Sequence, residues 1–148
     1  MGMGVYGKNP KSGVGGYFRN NNCEWWLLAR YCELVAPGIT TNCTYWYSND
    51  GDGLSEADSL RLADVLHREI ESGRCREYAD KRQSRMDALL RGPCELCEGT
   101  GRHSIGVPCD ACEGCGAVPP NTTFDPFEVE NVRGFAAFLR DCGGFEIW

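Results

Sequence analysis

The sequence is short of the residues that most catalytic sites depend on, and it has none of the long apolar segments that a membrane helix requires. Only two histidines, His67 and His103, occur in 148 residues. Neither belongs to a His-Glu-x-x-His motif, and no Gly-x-Ser-x-Gly elbow is present, so two common hydrolytic designs are excluded. His67 is expected on a solvated helix face beside Arg68 and Glu69. No apolar run reaches the ~18–20 residues of a membrane span. The opening Met1-Gly2-Met3-Gly4 lacks the basic and apolar regions of a secretory leader, and Tyr6 stands where a myristoylation signal carries Ser or Thr. Gly2 and Gly7-Lys8 copy the spacing of a phosphate-binding loop, but Asn9 follows in place of Ser or Thr. These absences point to a cytoplasmic protein and away from an enzyme.

Cysteine, by contrast, is abundant. Ten are present. Without an export signal they are expected as thiols, since cytosolic cysteines stay reduced. Four fall into paired C-x-x-C motifs: Cys94 with Cys97, and Cys109 with Cys112. Each pair continues into C-x-x-C-x-G-x-G. Two intervening residues let a turn direct both sulfurs at one ion, and the glycines permit the backbone to bring amides toward those sulfurs. The doubled motif predicts one structural zinc ion held by Cys94, Cys97, Cys109 and Cys112 on a hairpin. Cys115, which makes another C-x-x-C with Cys112, and His103, between the pairs, are alternative ligands. Symmetry of the repeats favours Cys112. Four thiolates leave no open coordination position, so the expected role is structural.

The net charge is −6, and it is uneven. Lys8, Lys11 and Arg19 make residues 1–22 basic, while residues 94–148 are acidic. An acidic balance opposes generic binding to a phosphate backbone and fits protein or small-ligand partners. Two local clusters stand out. Arg82 and Arg85 lie in a basic helical stretch suited to an acidic or phosphorylated partner, or simply to i,i+4 pairing with Glu77, Asp80 and Asp87. Arg19 and Asn20, close to Trp25, combine cation, amide and aromatic ring, as a nucleotide site would, or as an N-terminal arm laid over the core would.

The apolar pattern supplies the remaining frame. Residues 1–22, rich in Gly and Asn, read as a loop. Cys23 to Ala36 reads as a nearly buried helix, ended by Pro37-Gly38, and Ile39 to Tyr47 as a strand. Asn49 to Gly53 reads as a tight turn. Asp50 and Asp52 lack the bidentate Glu a calcium loop would need. Ser55 with Asp58 opens a helix that carries Leu62, Leu66 and Ile70 and breaks at Gly73; another runs from Arg74 to Arg91. Asp125, Pro126 and Glu128 predict the start of a last helix, with Phe124 and Val129 as its staple and Val132, Phe135, Ala136 and Leu139 as its buried stripe. Gly143-Gly144 ends it, and Phe145 to Trp148 reads as a docked strand. The expectation is one α+β domain, residues 1–148, with about four helices, a small sheet and a zinc hairpin, 93–118, inserted before the last helix.

The segment from Cys94 to Gly116 resembles the cysteine-rich zinc module of the DnaJ chaperones and, with only two knuckles and a helix soon after, resembles the anti-TRAP-like module more closely. The resemblance covers about residues 93–118. It implies the same four ligands and a protein-contacting role. No His-Pro-Asp motif is present, so it does not imply a co-chaperone. The remainder, with Phe18-Arg19-Asn20-Asn21 and Asn49-Asp50-Gly51-Asp52-Gly53-Leu54, is similar to uncharacterised bacterial and phage proteins, which implies no function. The leading expectation is a non-enzymatic binding protein, an adaptor or inhibitor, that meets a protein partner through the hairpin (Arg102, His103) or the basic helix (Arg82, Arg85). The alternative is a nucleotide-binding or sequestering protein that uses Arg19, Asn20 and Trp25; a hydrolase or redox enzyme ranks below both.

Overall fold

The computed structural model describes residues 2–90, 92–103, 106–118 and 125–148. The chain forms two compact units, Met1–Ala79 with Asp125–Trp148, and Asp80–Phe124. The architecture is α+β. The first unit holds a four-stranded antiparallel sheet, made of β1 (Gly2–Gly7), β2 (Tyr17–Asn21), β3 (Gly53–Leu54) and β6 (Phe145–Ile147), in the order β2-β1-β6-β3. Helices α1 (Asn22–Val35), α3 (Glu56–Glu71) and α5 (Val129–Asp141) belong to the same unit, with a one-turn helix α2 (Pro37–Thr40). Helix α4 (Arg74–Leu90) starts in the first unit and continues into the second, where β4 (Gly92–Pro93) pairs with β5 (Ala117–Val118). No helix among the described residues is long and apolar enough to cross a membrane.

The first unit's core is aromatic. Met3, Val5, Phe145 and Ile147 point inward from the sheet, and Leu62, Leu66, Phe135, Phe138 and Leu139 meet them from the helices. Trp25 stacks on Trp46 at 6.0 Å and meets Phe135 edge-on at 5.6 Å. Both buried indoles are satisfied: Trp25 Nε1 donates to the Trp46 carbonyl at 2.6 Å and Trp46 Nε1 to the Thr40 carbonyl at 2.9 Å. A buried donor left unpaired would cost about 1–3 kcal/mol, so these bonds fix where the 40–46 segment runs.

Three local expectations are corrected. Residues 1–22 are not a loop, because Gly2–Gly7 and Tyr17–Asn21 form a hairpin. The glycines that mask it are placed for close approach. A Cβ on Gly7 would lie 2.0 Å from the Gly15 carbonyl oxygen, and one on Gly15 would lie 2.1 Å from that of Asp141. Residues Ile39 to Tyr47 are not a strand. Ile39, Thr40, Cys43 and Trp46 are the buried ones, which is a helical period, and the segment is a one-turn helix followed by turns. The Asp52 carboxylate holds those turns, accepting from the backbone N–H of Thr44 at 2.7 Å and of Tyr45 at 2.9 Å.

The third correction concerns the last helix. It starts at Val129, with Glu128 at the cap position and no side-chain cap bond. The Phe127 ring then packs 5.0 Å from Tyr31 and 4.9 Å from Tyr78, and this contact outweighs the local capping signal. Phe124, the other half of the expected staple, lies outside the described residues. By contrast, α1 gains a reciprocal capping box that the sequence reading did not anticipate: Asn21 accepts from the Glu24 N–H at 2.8 Å and Glu24 from the Asn21 N–H at 3.0 Å. Ser55 caps α3 as expected, accepting from the Asp58 N–H at 3.2 Å.

Asn20 is turned into the core, where its amide forms a closed pair with Asn131: Nδ2 donates to Asn131 Oδ1 at 2.8 Å, and Asn131 Nδ2 donates back at 3.0 Å. Asn20→Ala strands the Asn131 amide and is expected to lower stability by about 1–3 kcal/mol in urea unfolding. Asn20→Ala with Asn131→Ala together should cost clearly less than the sum of the single changes. Additive losses would show that the two amides do not act as a pair.

Candidate metal centre

The second unit has an unusual interior. Among its described residues, the buried positions are Cys94, Cys97, Gly101, Cys109, Cys112 and Gly116. The four cysteines therefore replace an apolar core. Their sulfur atoms all lie within 4.8 Å of one another, so together they could hold a metal ion. Cys94 Sγ is 3.9 Å from Cys109 Sγ, and Cys97 Sγ is 3.8 Å from Cys112 Sγ. These are non-bonded separations, well beyond the ~2.05 Å of a disulfide.

The two knuckles are built as copies of each other. In each, glycines stand two and four residues after the second cysteine, with matching positive φ: +81° and +78° at the first pair, Gly99 and Gly114, and +77° and +75° at the second, Gly101 and Gly116. The Gly99 N–H donates to the Cys94 carbonyl at 3.0 Å, and the Gly114 N–H to the Cys109 carbonyl at 2.9 Å. The Gly101 N–H then points at Cys97 Sγ at 3.2 Å, and the Gly116 N–H at Cys112 Sγ at 3.1 Å. Such amides stabilise negative sulfur and orient its lone pairs. The halves also lock onto each other. Cys94 N–H donates to the Gly116 carbonyl and Cys109 N–H to the Gly101 carbonyl, both at 2.9 Å.

The sulfur cluster brings together four of the candidate residues and leaves out Cys115 and His103. Cys115 occupies the position that Thr100 occupies in the first knuckle. It is exposed, and its thiol faces the Glu113 carbonyl at 4.0 Å. It does not belong to the sulfur cluster. His103 is exposed on the arm beyond the knuckles, held by backbone bonds to Val107 and Gly106. Burial opposes ionisation of Cys97, but the Gly101 N–H and the neighbouring thiols bring it down to about 6.

The other buried thiols behave differently. Burial pushes up the thiols of Cys32, Cys75 and Cys142, and that of Cys43 to about 12. They are neutral packing groups of the first unit.

The remaining candidate residues scatter. Arg102 and His103 are exposed on the hairpin and share a broad recess of about 530 Å³ with Leu96, Glu98 and Thr100. Arg82 and Arg85 lie one helical turn apart on α4, where Arg85 is exposed and Arg82 half-buried. Arg19 is exposed on β2, Asn20 is buried, and Trp25 is 1% exposed in the core. Leu96 was not singled out by its sequence, yet it is 64% exposed between two buried cysteines. The signal was available: in a C-x-x-C turn that aims both cysteines inward, the middle residues must face out. Asp52 accepts from the backbone amides of Thr44, Tyr45 and Gly53, and Asp50 accepts from Ser48 Oγ at 2.7 Å, so both carboxylates serve the turn. Comparison with protein-family models, with curated proteins and with solved structures gave no match for this chain.

A Cβ on Gly101 would sit 2.4 Å from the Gly114 carbonyl oxygen, and one on Gly116 would sit 2.5 Å from that of Gly99. Gly101→Ala and Gly116→Ala should therefore separate the knuckles and weaken metal retention by ten-fold or more on the scale of about 10–100-fold for disrupted supporting contacts, read by chelator competition. Gly106→Ala is the control. Its φ is also positive, +78°, but nothing lies within 4 Å of an added Cβ. Equal losses in all three variants would show that backbone strain, not the approach of the knuckles, is what matters.

Proposed function

We propose that this protein binds one zinc ion through Cys94, Cys97, Cys109 and Cys112 and acts without catalysis, as an adaptor or inhibitor, on a protein partner. The observation that carries the reading is the closed sulfur cluster supporting an exposed surface. A tetrahedral site with zinc–sulfur bonds of about 2.3 Å has sulfur edges of about 3.8 Å. The spacings of 3.9 and 3.8 Å across the two knuckles fit that edge before any rearrangement. All four positions of such a site are filled by protein, so no place remains for a reacting water. The likeness of the C-x-x-C-x-G-x-G pairs to the DnaJ-type and anti-TRAP-like modules supports the same ligand set and a role in contacting protein.

The contact surface is the recess around Leu96, Arg102 and His103. An exposed leucine bordered by Glu98, Arg102 and His103 gives an apolar centre with a polar rim, the usual anatomy of a protein interface. Val107, 47% exposed, extends the apolar surface of the same arm.

Two measurements test this reading. Elemental analysis of protein made without added metal should give about one zinc per chain. Cys97→Ser and Cys109→Ser should lose it, and Cys115→Ser should keep it. Two zincs, or another metal in its place, would overturn the assignment. For the partner, the full chain and its Leu96→Ala, Arg102→Ala and His103→Ala variants should be recovered from native cells under one protocol. A partner retained by the unaltered chain should be lost from the variants while their zinc content is unchanged, because surface changes of this kind cost little stability. A partner that survives all three changes and is lost on Arg82→Ala or Arg85→Ala would move the contact to α4.

A further inference from the structure

A half-open cavity of about 220 Å³ lies in the first unit, where β1 meets the N-terminus of α1. Its floor is the buried Trp25, whose indole N–H is already used on Trp46. Its aromatic walls are Trp26, 50% exposed, and Tyr47, 43% exposed. Both rings are held in place. Arg30 sits over the Trp26 ring, 5.1 Å from its centroid, and the Tyr47 hydroxyl donates to the Glu33 carboxylate. Asn22 and Asn49 also line the cavity, and neither side-chain amide has a hydrogen-bond partner among the described residues. Gly2 forms part of the rim. The Arg19 guanidinium lies against it, with Nε 3.1 Å and one terminal nitrogen 3.3 Å from where a Gly2 Cβ would be. Arg19 pairs with no carboxylate among the described residues.

In an acidic chain, this cavity has no acidic lining residue. It offers flat aromatic walls, two unused amides and one unpaired guanidinium. The volume is below the ~300–1,000 Å³ of pockets that enclose a whole drug-sized ligand, and it has room for one planar ring system. Aromatic side chains stack on nucleobases of any sequence, a carboxamide can donate to and accept from a base edge at once, and a guanidinium matches a phosphate.

We propose that this cavity binds a free mononucleotide. The base enters against Trp26 and Tyr47, Asn22 and Asn49 read its edge, and the phosphate remains outside at Arg19. One cavity of one-ring size, with a single cation at its mouth, favours a mononucleotide over a strand of nucleic acid. A strand would need a run of stacking sites along a basic groove. The site includes only Arg19 and Trp25 of the sequence-derived trio. Asn20 is in the core, and Asn22 and Asn49 supply the amides in its place. This proposal stands apart from the zinc hairpin, whose residues it does not use.

Calorimetric titration of the full chain with the four ribonucleoside 5′-monophosphates, with the matching nucleosides and with short single-stranded oligonucleotides tests it. At least one monophosphate should bind saturably and more tightly than its nucleoside. Trp26→Ala should weaken that binding by about ten-fold or more through lost stacking, and Asn49→Ala should weaken it and change the preference among bases. Arg19→Ala should remove the advantage of nucleotide over nucleoside and leave nucleoside binding unchanged. Circular dichroism of each variant checks folding, since all three side chains are exposed. The proposal is overturned by no saturable monophosphate binding, by binding of oligonucleotides alone, by binding unchanged in both Trp26→Ala and Asn49→Ala, or by an Arg19→Ala variant that loses nucleoside and nucleotide equally.

Discussion

The convergence of four cysteine sulfurs on one point is the constraint on which the second unit depends. Among its described residues, the only buried side chains are the four cysteines, so there is too little apolar area to offset the entropy of ordering the chain. In such a unit the binding free energy of a metal ion held by the four sulfurs would serve as folding free energy. The other features follow from that constraint. Positive-φ glycines let the chain turn back on itself within a few residues of each ligand pair. Their amides supply the partial positive charge that crowded sulfur needs, and the reciprocal bonds between Cys94 and Gly116 and between Cys109 and Gly101 bring the halves close enough for four sulfurs to share one centre.

The first unit solves the same problem by other means. Its interior is dense with Trp25, Trp46, Phe135, Phe138 and Phe145; the two buried indoles donate to backbone carbonyls, and the Asn20 and Asn131 amides satisfy each other. Cysteine has opposite meanings in the two units. In the first, burial keeps Cys32, Cys43, Cys75 and Cys142 protonated, and they pack as small apolar groups. In the second, the same side chain is surrounded by backbone donors and by its own kind, in a cluster that could hold a metal ion.

Features governed by neighbouring residues were legible in the sequence. The helical period of α1 and α3, the Ser55 cap, the buried stripe of α5, the break at Gly73 and the docked strand at Phe145 are all local patterns, and the four clustered cysteines were fixed by spacing alone. Features decided by distant partners were not. The β1–β2 hairpin was hidden because its glycines fit against backbone from far along the chain. The 39–47 segment has β-branched and aromatic content, yet its buried residues follow a helical period and Asp52 holds its turns. The start of α5 was moved by Phe127, whose ring fills a slot between Tyr31 and Tyr78. The grouping of Arg19, Asn20 and Trp25 missed the alternation of a strand, which sends Arg19 outward and Asn20 inward.

The order of strands, β2-β1-β6-β3, has a consequence for the sequence of events during synthesis. Strand β6, near the end of the chain, lies between β1 and β3 and pairs with both. Until Phe145–Ile147 has been made, β1 and β3 have no common neighbour, and the aromatic core lacks Phe135, Phe138 and Phe145. The knuckles need nothing beyond the span from Gly92 to Val118, and their contacts are short in sequence. Low contact order favours early, fast assembly, whereas pairing the two ends of a chain must wait for both. The knuckles can therefore close while the segment before them still waits for β6, and the nascent chain gathers its sulfur cluster before its aromatic core.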